Sequence, residues 1–436
     1  MHCFSYKKNQ LYCENANVSK VAAAVGTPFY LYSVSTFLDH YRKLAHAFSA
    51  VPTLICFSMK ANSNLTLLKS LVNHGAGLDI VSGGELYRAK KVGVEPKKTV
   101  FASVGKTASE IESAIRFGIL MFNVESVQEL EMINSVARRL RTAQKVAIRL
   151  NPDVRPDTHH YITTGSKQDK FGLDIPTAYK LFMQAYRFPH LRLAGVHIHI
   201  GSQITRSAPF KEAIQKCLDF IDSIRYAGSA VEYLNIGGGL GIIYSDEKPQ
   251  TADAFAKAVL PLLKKHSRLK IILEPGRFIS GNGGILVTRV IYEKRTKAKS
   301  FLIVDAAMND LIRPAFYGAH HEIVPVIKPR STARKVKADI VGPICESGDF
   351  LAKDRRVPMM KPGDLLAVMS CGAYGFVMSS NYNSRPRSPE VVVKGSRFFV
   401  ARRRETMDDL VRYEKIVTEV VGPSPRGRAS SLVSVK

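Results

Sequence analysis

The sequence predicts an α/β fold in which a parallel TIM-like (β/α)8 barrel is followed by a mainly β second domain. Three observations carry that expectation. Apolar, β-rich runs alternate with helix-period segments through the first two-thirds of the chain. After Gly284 the rhythm changes to short apolar runs with little helix between them. A chain of 436 residues is also too long for one ordinary compact domain.

The expected barrel strands are Thr53–Met59, Leu78–Val81, Thr99–Ala102, Ile119–Asn123, Val146–Leu150, Leu193–Ile200, Glu232–Ile236 and Lys270–Glu274. Helical patterns fill most of the gaps, at Leu65–His74, Glu85–Val92, Ala108–Phe117, Val127–Leu140, Ile175–Arg187, Ala208–Ala227 and Ala252–His266. Parallel neighbours need a crossover and a closed sheet leaves no edge, so this alternation points to a barrel. Beyond it, Ile285–Glu293, Phe301–Val304, Glu322–Val326, Lys335–Val341, Leu365–Met369, Val391–Val393 and Arg397–Val400 are expected as strands, and a strand around Tyr6–Tyr12 can join them. The expected division is a barrel over 31–279, a β domain over 280–421 together with 1–30, and a mobile Pro-, Gly- and Ser-rich tail over 422–436.

Composition narrows the class. Hydrophobic residues make up 45% of the chain, enough for large cores, and no apolar run approaches the length of a membrane span. The N-terminus lacks the basic start and apolar centre of a signal peptide. Six scattered cysteines without a CxxC pair suit a reducing compartment, so a cytoplasmic protein is expected. The net charge of +26 raises nucleic acid as a partner, but Lys and Arg are spread along the whole chain and no nucleic-acid-binding motif accompanies them. A solvated basic surface is the expectation.

Barrel side chains at the C-terminal strand ends converge on one mouth, where active sites lie. Here those ends supply Lys60, Asp79, Arg149, His197 and His199, then Ser202, the Gly237-Gly238-Gly239 run and Glu274-Pro275-Gly276-Arg277. Taken singly, each is ordinary. A strand-end lysine is usually solvated, the glycine run does not match GxGxxG, and an HxH pair needs further ligands before it holds metal, so no metal is expected. Their convergence is what points to chemistry. Pyridoxal phosphate needs a lysine amine for a Schiff base, an imidazole or aromatic face, backbone N–H groups for its phosphate and a partner for its pyridine nitrogen. Lys60, His199, the Gly237–Gly239 loop and Glu274 fill those roles in turn.

The ordered motifs FSMKANSN (57–64), GLDIVSGGEL (77–86), RLNPDV (149–154), HHYITTGSKQDKFG (159–172) and HIHIGSQI (197–204) continue with NIGGGLG (235–241), EPGRFI (274–279), DAAMNDLIRPAFYGAHHEI (305–323), GPICESGD (342–349) and GAYG (372–375). Through them the chain resembles the alanine-racemase-fold decarboxylases, and within them the branch acting on diaminopimelate, up to about Val421. The resemblance implies decarboxylation of meso-2,6-diaminopimelate to L-lysine in a homodimer with shared active sites. It implies Lys60 as the Schiff-base lysine and, around the cofactor, Asp79, Arg149, His199, Ser202, Gly239, Glu274, Gly276, Arg277 and Tyr374. It implies Arg277, Arg313, Tyr317, Glu346 and Tyr374 as substrate positions, and Cys345 as proton donor, contributed with Glu346 across the interface. The usual YISTG is here Tyr161-Ile162-Thr163-Thr164-Gly165, which keeps the hydroxyl, and Ser58-Met59 replaces a more usual Ala-Val or Ser-Val pair.

Relatives acting on ornithine, arginine or carboxynorspermidine are the rival reading. Arg277, Arg313 and Glu346 suit a second amino-acid head, with its carboxylate and ammonium, better than a basic polyamine precursor. A racemase of this fold uses an arginine at the ring nitrogen, where Glu274 stands here. A non-catalytic relative is expected to have lost Lys60 or Cys345, and both are present.

Overall fold

The fold is seen in a computed structural model that describes residues 2–154, 170–330 and 332–417. Eight parallel strands close into a barrel: β1 (Thr53–Ser58), β2 (Gly77–Ile80), β3 (Thr99–Phe101), β4 (Met121–Val124), β5 (Gln144–Arg149), β6 (Leu191–His197), β7 (Tyr233–Asn235) and β8 (Lys270–Leu273). Each pairs with the next in sequence, and β8 closes on β1 through Ile271 opposite Thr53. Most of the connecting helices start on side-chain caps. Asn64, Ser82, Ser126 and Thr251 each accept a backbone N–H of the first turn, and Thr107 forms a capping box with Glu110. These caps fix where each loop leaves the mouth.

Strand side chains alternate between two environments. Ile55, Phe57, Leu78, Ile80, Phe122 and Ile148 pack outward among the helices. Cys56, Val100, Met121, Ala147, Ala194, Tyr233 and Ile272 form a separate apolar layer inside the barrel. Two residues further along a strand, the same inward face becomes polar: Cys56 is followed by Ser58, Met121 by Asn123, Ala147 by Arg149, Tyr233 by Asn235 and Ile272 by Glu274. The site stands on this switch from apolar to polar.

The second unit is a nine-stranded, mostly antiparallel sheet built on the long strand Gly284–Arg295. Strand Phe29–Ser33, which precedes the barrel in sequence, lies beside it and pairs on its other side with Glu390–Lys394. The expected strand around Tyr6–Tyr12 is a hairpin of Phe4–Lys7 and Gln10–Cys13, because Lys8 and Asn9 take positive φ of 47° and 64° at its turn. Bonds from the loop after β1 help hold this unit over the barrel mouth: Tyr374 N–H donates to Ala61 O (2.8 Å) and Asn62 Nδ2 to Gly372 O (3.0 Å). The 422–436 tail and most of the 159–172 motif lie outside the described residues. No helix among the described residues is long and apolar enough to cross a membrane.

Candidate active site

The floor of the site is the polar inner layer: Ser58, Asp79, Asn123, Arg149, His197, Asn235 and Glu274, none more than 5% exposed. Groups so buried need partners. Glu274 Oε1 accepts from Asn123 Nδ2 (2.8 Å) and Asn235 Nδ2 (2.5 Å), and its Oε2 lies 3.3 Å from His197 Nε2. Burial opposes the Glu274 charge, yet His197, Lys60 and the Asn235 amide outweigh it and hold the carboxyl below its usual range. Asp79 takes the opposite course. Burial and the neighbouring Glu274 push it up to about 7, although Lys60 and the Ser58 hydroxyl (2.6 Å) pull the other way.

Lys60 follows β1 directly, with Nζ 3.5 Å from Asp79 Oδ2. Burial works against its ammonium, but Asp79, Tyr374 and Glu274 outweigh burial and hold the amine above its ordinary range. His199 Nδ1 accepts the Gly238 N–H at 3.2 Å, which leaves the ring proton on Nε2. Burial, with Lys60 and Arg149 nearby, keeps this imidazole well below its usual range and therefore neutral. Arg149 is itself held: Nη1 reaches both Glu125 oxygens (2.8 and 2.9 Å) and Nη2 donates to His199 O (3.2 Å).

Beside β7 the backbone has room for glycine alone. A Cβ on Gly237 would stand 2.3 Å from Ile198 O, on Gly238 2.1 Å from Glu274 O and on Gly239 2.4 Å from Gly201 O. Among the described residues, Asp79 Oδ1, 0% exposed as a residue, has no hydrogen-bond partner, and Asn123 Oδ1 is in the same position. A glycine-lined backbone cradle, an amine, a neutral imidazole and a buried carboxylate form the donor set that a phosphorylated pyridine aldehyde requires. The residues fit that group.

Above the floor opens a cavity of about 340 Å³. His199, Ser202 and Gln203 from the loop after β6 wall it on one side, and Arg277, Arg313 and Tyr374 face it from elsewhere. Arg277 Nη2 donates to Ser202 Oγ (3.1 Å) and its guanidinium lies 4.8 Å from the centre of the Tyr374 ring. Tyr374 holds a positive φ of 56°, a conformation costly for an aromatic residue and typical of functional loops. Arg313 Nη1 lies 2.9 Å from His321 Nε2, while His321 Nδ1 bonds Met369 O. Burial and Arg313 lower His321 to about 3, so it is a neutral acceptor for the arginine.

Residues 34–281 match the family described as "Pyridoxal-dependent decarboxylase, pyridoxal binding domain". The chain is 47% identical over 406 residues to the diaminopimelate decarboxylase of Aquifex aeolicus, covering 93% of this chain and 96% of that one. It is also 47% identical over 420 residues to that of Pseudomonas aeruginosa, covering 96% and 100%. The chain belongs to the diaminopimelate decarboxylase family. Its fold is likewise that of the M. jannaschii diaminopimelate decarboxylase solved with L-lysine, at a TM-score of 0.89 and 37% identity over 95% of this chain and 98% of that one.

Membership makes the protein a pyridoxal-dependent carboxy-lyase. Of the positions the sequence singled out, Asp79, Arg149 and Glu274 fall on the barrel floor. His199, Ser202, Arg277, Arg313, Tyr317 and Tyr374 line the cavity. Cys345 and Glu346 do not: both are exposed on a loop of the second unit, and neither is on the cavity wall. Asp349 pins that loop by accepting the Met308 N–H (2.7 Å) and the Ile344 N–H (2.8 Å). Sequence reasoning missed Asn123 and Asn235. Their signal was a lone amide at the inward position of an otherwise apolar strand. It gave no role to Gln203, although the HIHIGSQI motif contains it, and it missed Tyr244 and Glu247, which line the cavity from a loop without any local pattern.

Proposed function

We propose that this protein decarboxylates meso-2,6-diaminopimelate to L-lysine and CO2, the last step of lysine biosynthesis, with pyridoxal 5′-phosphate attached to Lys60. The observation that carries the reading is a pair of guanidinium groups, Arg277 at 7% and Arg313 at 6% exposure, facing one cavity in the mouth of the barrel. Two buried cations at that place call for a carboxylate besides the one lost as CO2, which a second amino-acid head carries and a polyamine precursor lacks. The M. jannaschii relative was solved with L-lysine, which keeps one such head.

The bound cofactor would supply an electron sink for the carbanion left when CO2 departs. Lys60 would hold it, the Gly239 N–H and the Ser202 hydroxyl would offer donors to its phosphate at a loop whose Gly237 and Gly238 N–H groups are held by Asn235 and His199, and the neutral His199 would face its ring. Glu274, kept as a carboxylate, holds a proton at the pyridine nitrogen. The domain division expected from the sequence, with its boundary near residue 280, puts Lys60 and Cys345 in different units. Cys345 gives the final proton, and with Glu346 it acts from the second subunit of a homodimer. Their exposure, and their place outside the cavity wall of their own chain, support that arrangement. Six free cysteines support a cytoplasmic setting.

The test is product analysis of purified protein with cofactor and meso-diaminopimelate, with ornithine and arginine in parallel. L-lysine and CO2 from diaminopimelate alone are expected. Preferential release of CO2 and the corresponding amine from ornithine or arginine would replace this reading with the rival one.

A further inference from the structure

Tyr244 follows the glycine-rich β7 turn, is 8% exposed and lines the cavity. Its loop is tied down at two points. Gln203 bonds Ile242 in both directions, Nε2 to O at 2.6 Å and N to Oε1 at 3.1 Å, and Glu247 Oε2 accepts the Tyr244 N–H at 2.9 Å. The ring lies against both cavity arginines, 4.7 Å from the Arg313 guanidinium and 5.7 Å from that of Arg277, and meets His321 edge-on at 5.3 Å.

The hydroxyl accepts from Arg277 Nη1 at 2.6 Å. A guanidinium has no acceptor, so the phenol is the acceptor in that bond and keeps its own proton to donate. This bond from Arg277 is the phenol's hydrogen bond among the described residues. A hydroxyl donor thus stands on the cavity wall beside two cations, all three tied to one ring. A carboxylate seated there would meet two charges and an O–H in a preset arrangement.

We infer that Tyr244 is a specificity-determining residue, whose hydroxyl donates to the carboxylate of the amino-acid head that the reaction leaves intact. This rests on the proposed substrate and extends it to a position that the sequence did not mark. A ligand keeping that carboxylate feels the hydroxyl, and a ligand without it does not.

The experiment uses the holoenzyme and Tyr244→Phe, which keeps the ring and removes the O–H. Two sets of measurements are made: kcat and KM with meso-diaminopimelate, and equilibrium binding of L-lysine against 1,5-diaminopentane, which is L-lysine without its carboxylate. The variant should raise KM and the L-lysine Kd at least about tenfold, the usual size for a hydrogen bond to a charged group. It should leave kcat and the diaminopentane Kd within about twofold. Equal weakening of both ligands, or no weakening of L-lysine, overturns the inference. Cofactor absorbance and thermal midpoint report whether the variant folds. If it does not, Tyr244→His, which keeps a ring N–H, must bind L-lysine better than Tyr244→Leu, and failure of that order also overturns the inference. Absence of diaminopimelate turnover in the unaltered protein would sink the proposed substrate instead, while the paired binding comparison still judges Tyr244.

Discussion

Asp79 and Glu274 are two carboxyl groups in one buried layer, pushed in opposite directions by their neighbours. The difference assigns their work. Glu274 has two amide donors and a histidine, which favour its charge, so it can hold a proton on a ring nitrogen without taking it. Glu274→Gln removes that ability and should lower kcat by at least about a hundredfold with little change in KM, because the interaction matters most as carbanion charge develops. Steady-state kinetics decide it, and an unchanged kcat would mean another group protonates the ring. Asp79 instead faces the Lys60 amine, whose proton must leave before the amine can capture an aldehyde. Asp79 and the other negative groups around Lys60 keep that proton on, so capture should quicken as pH rises. Asp79→Asn removes one stabilising charge and lowers the amine's pKa, which moves the pH profile of capture toward lower pH. Stopped-flow absorbance on mixing apoprotein with cofactor reads the shift, and a profile that stays put or moves upward contradicts it. At this scale the strand ends marked Lys60, His199 and Glu274 as candidates in the sequence. It did not reveal Asn123 and Asn235, since an amide in a strand carries no sign of the carboxylate it will meet from another strand.

The barrel strands were legible as elements because each is a short apolar run flanked by helix-period segments, and its pattern is local. Phe29–Ser33 was not, because both its neighbours, Gly284–Arg295 and Glu390–Lys394, lie more than two hundred residues away. Phe350–Pro358 hid for a different reason. It is the edge strand of its sheet, and its Lys353, Asp354, Arg355 and Arg356 give it the charged pattern of a loop. One buried pair does for β4 what the caps do for the helices. Lys106, with a fully buried side chain, donates to Ser103 O (2.8 Å) and Asn123 O (2.9 Å) and pairs with Glu129, whose other oxygen accepts the Glu125 N–H (2.9 Å). That pins the backbone at Asn123 and at the glutamate that holds Arg149. Burial pulls the Lys106 amine below its ordinary range despite Glu129, and pushes Glu129 above its own despite Lys106. Each shift is a cost of charge at neutral pH, so the pair positions more than it stabilises. Lys106→Met alone strands a buried carboxylate and should cost about 3–5 kcal/mol in denaturant unfolding, whereas Lys106→Met with Glu129→Leu should cost clearly less. A double variant as unstable as the single one would show that the pair does contribute net stability.

At the scale of the whole molecule, the barrel supplies Lys60 and one side of the cavity, and the second unit closes the other side with Arg313, Tyr317 and Tyr374, while Cys345 and Glu346 stand exposed on that unit, apart from the cavity wall of their own chain. The proposed homodimer answers that separation: a second copy brings its CESGD loop to the mouth of the first, and each site draws on both chains. A thiol suits the last proton transfer, since its reference pKa of about 8.5 leaves it protonated at neutral pH yet able to give the proton up. Two substitutions in different units should then complement each other. Lys60→Ala leaves a chain with an intact donor loop and no cofactor attachment. Cys345→Ala leaves a chain with an intact lysine and no donor. Each is expected to be inactive as a homodimer. When they are mixed and allowed to exchange subunits, a mixed dimer carries one site with both lesions and one with neither. Random reassortment makes about half of the dimers mixed, so activity should return to about a quarter of the unaltered level. Native mass spectrometry confirms the exchange, and lysine formation reads the recovery. Exchange without recovery would mean that Cys345 serves its own chain or takes no part, and the shared-site arrangement would have to be given up.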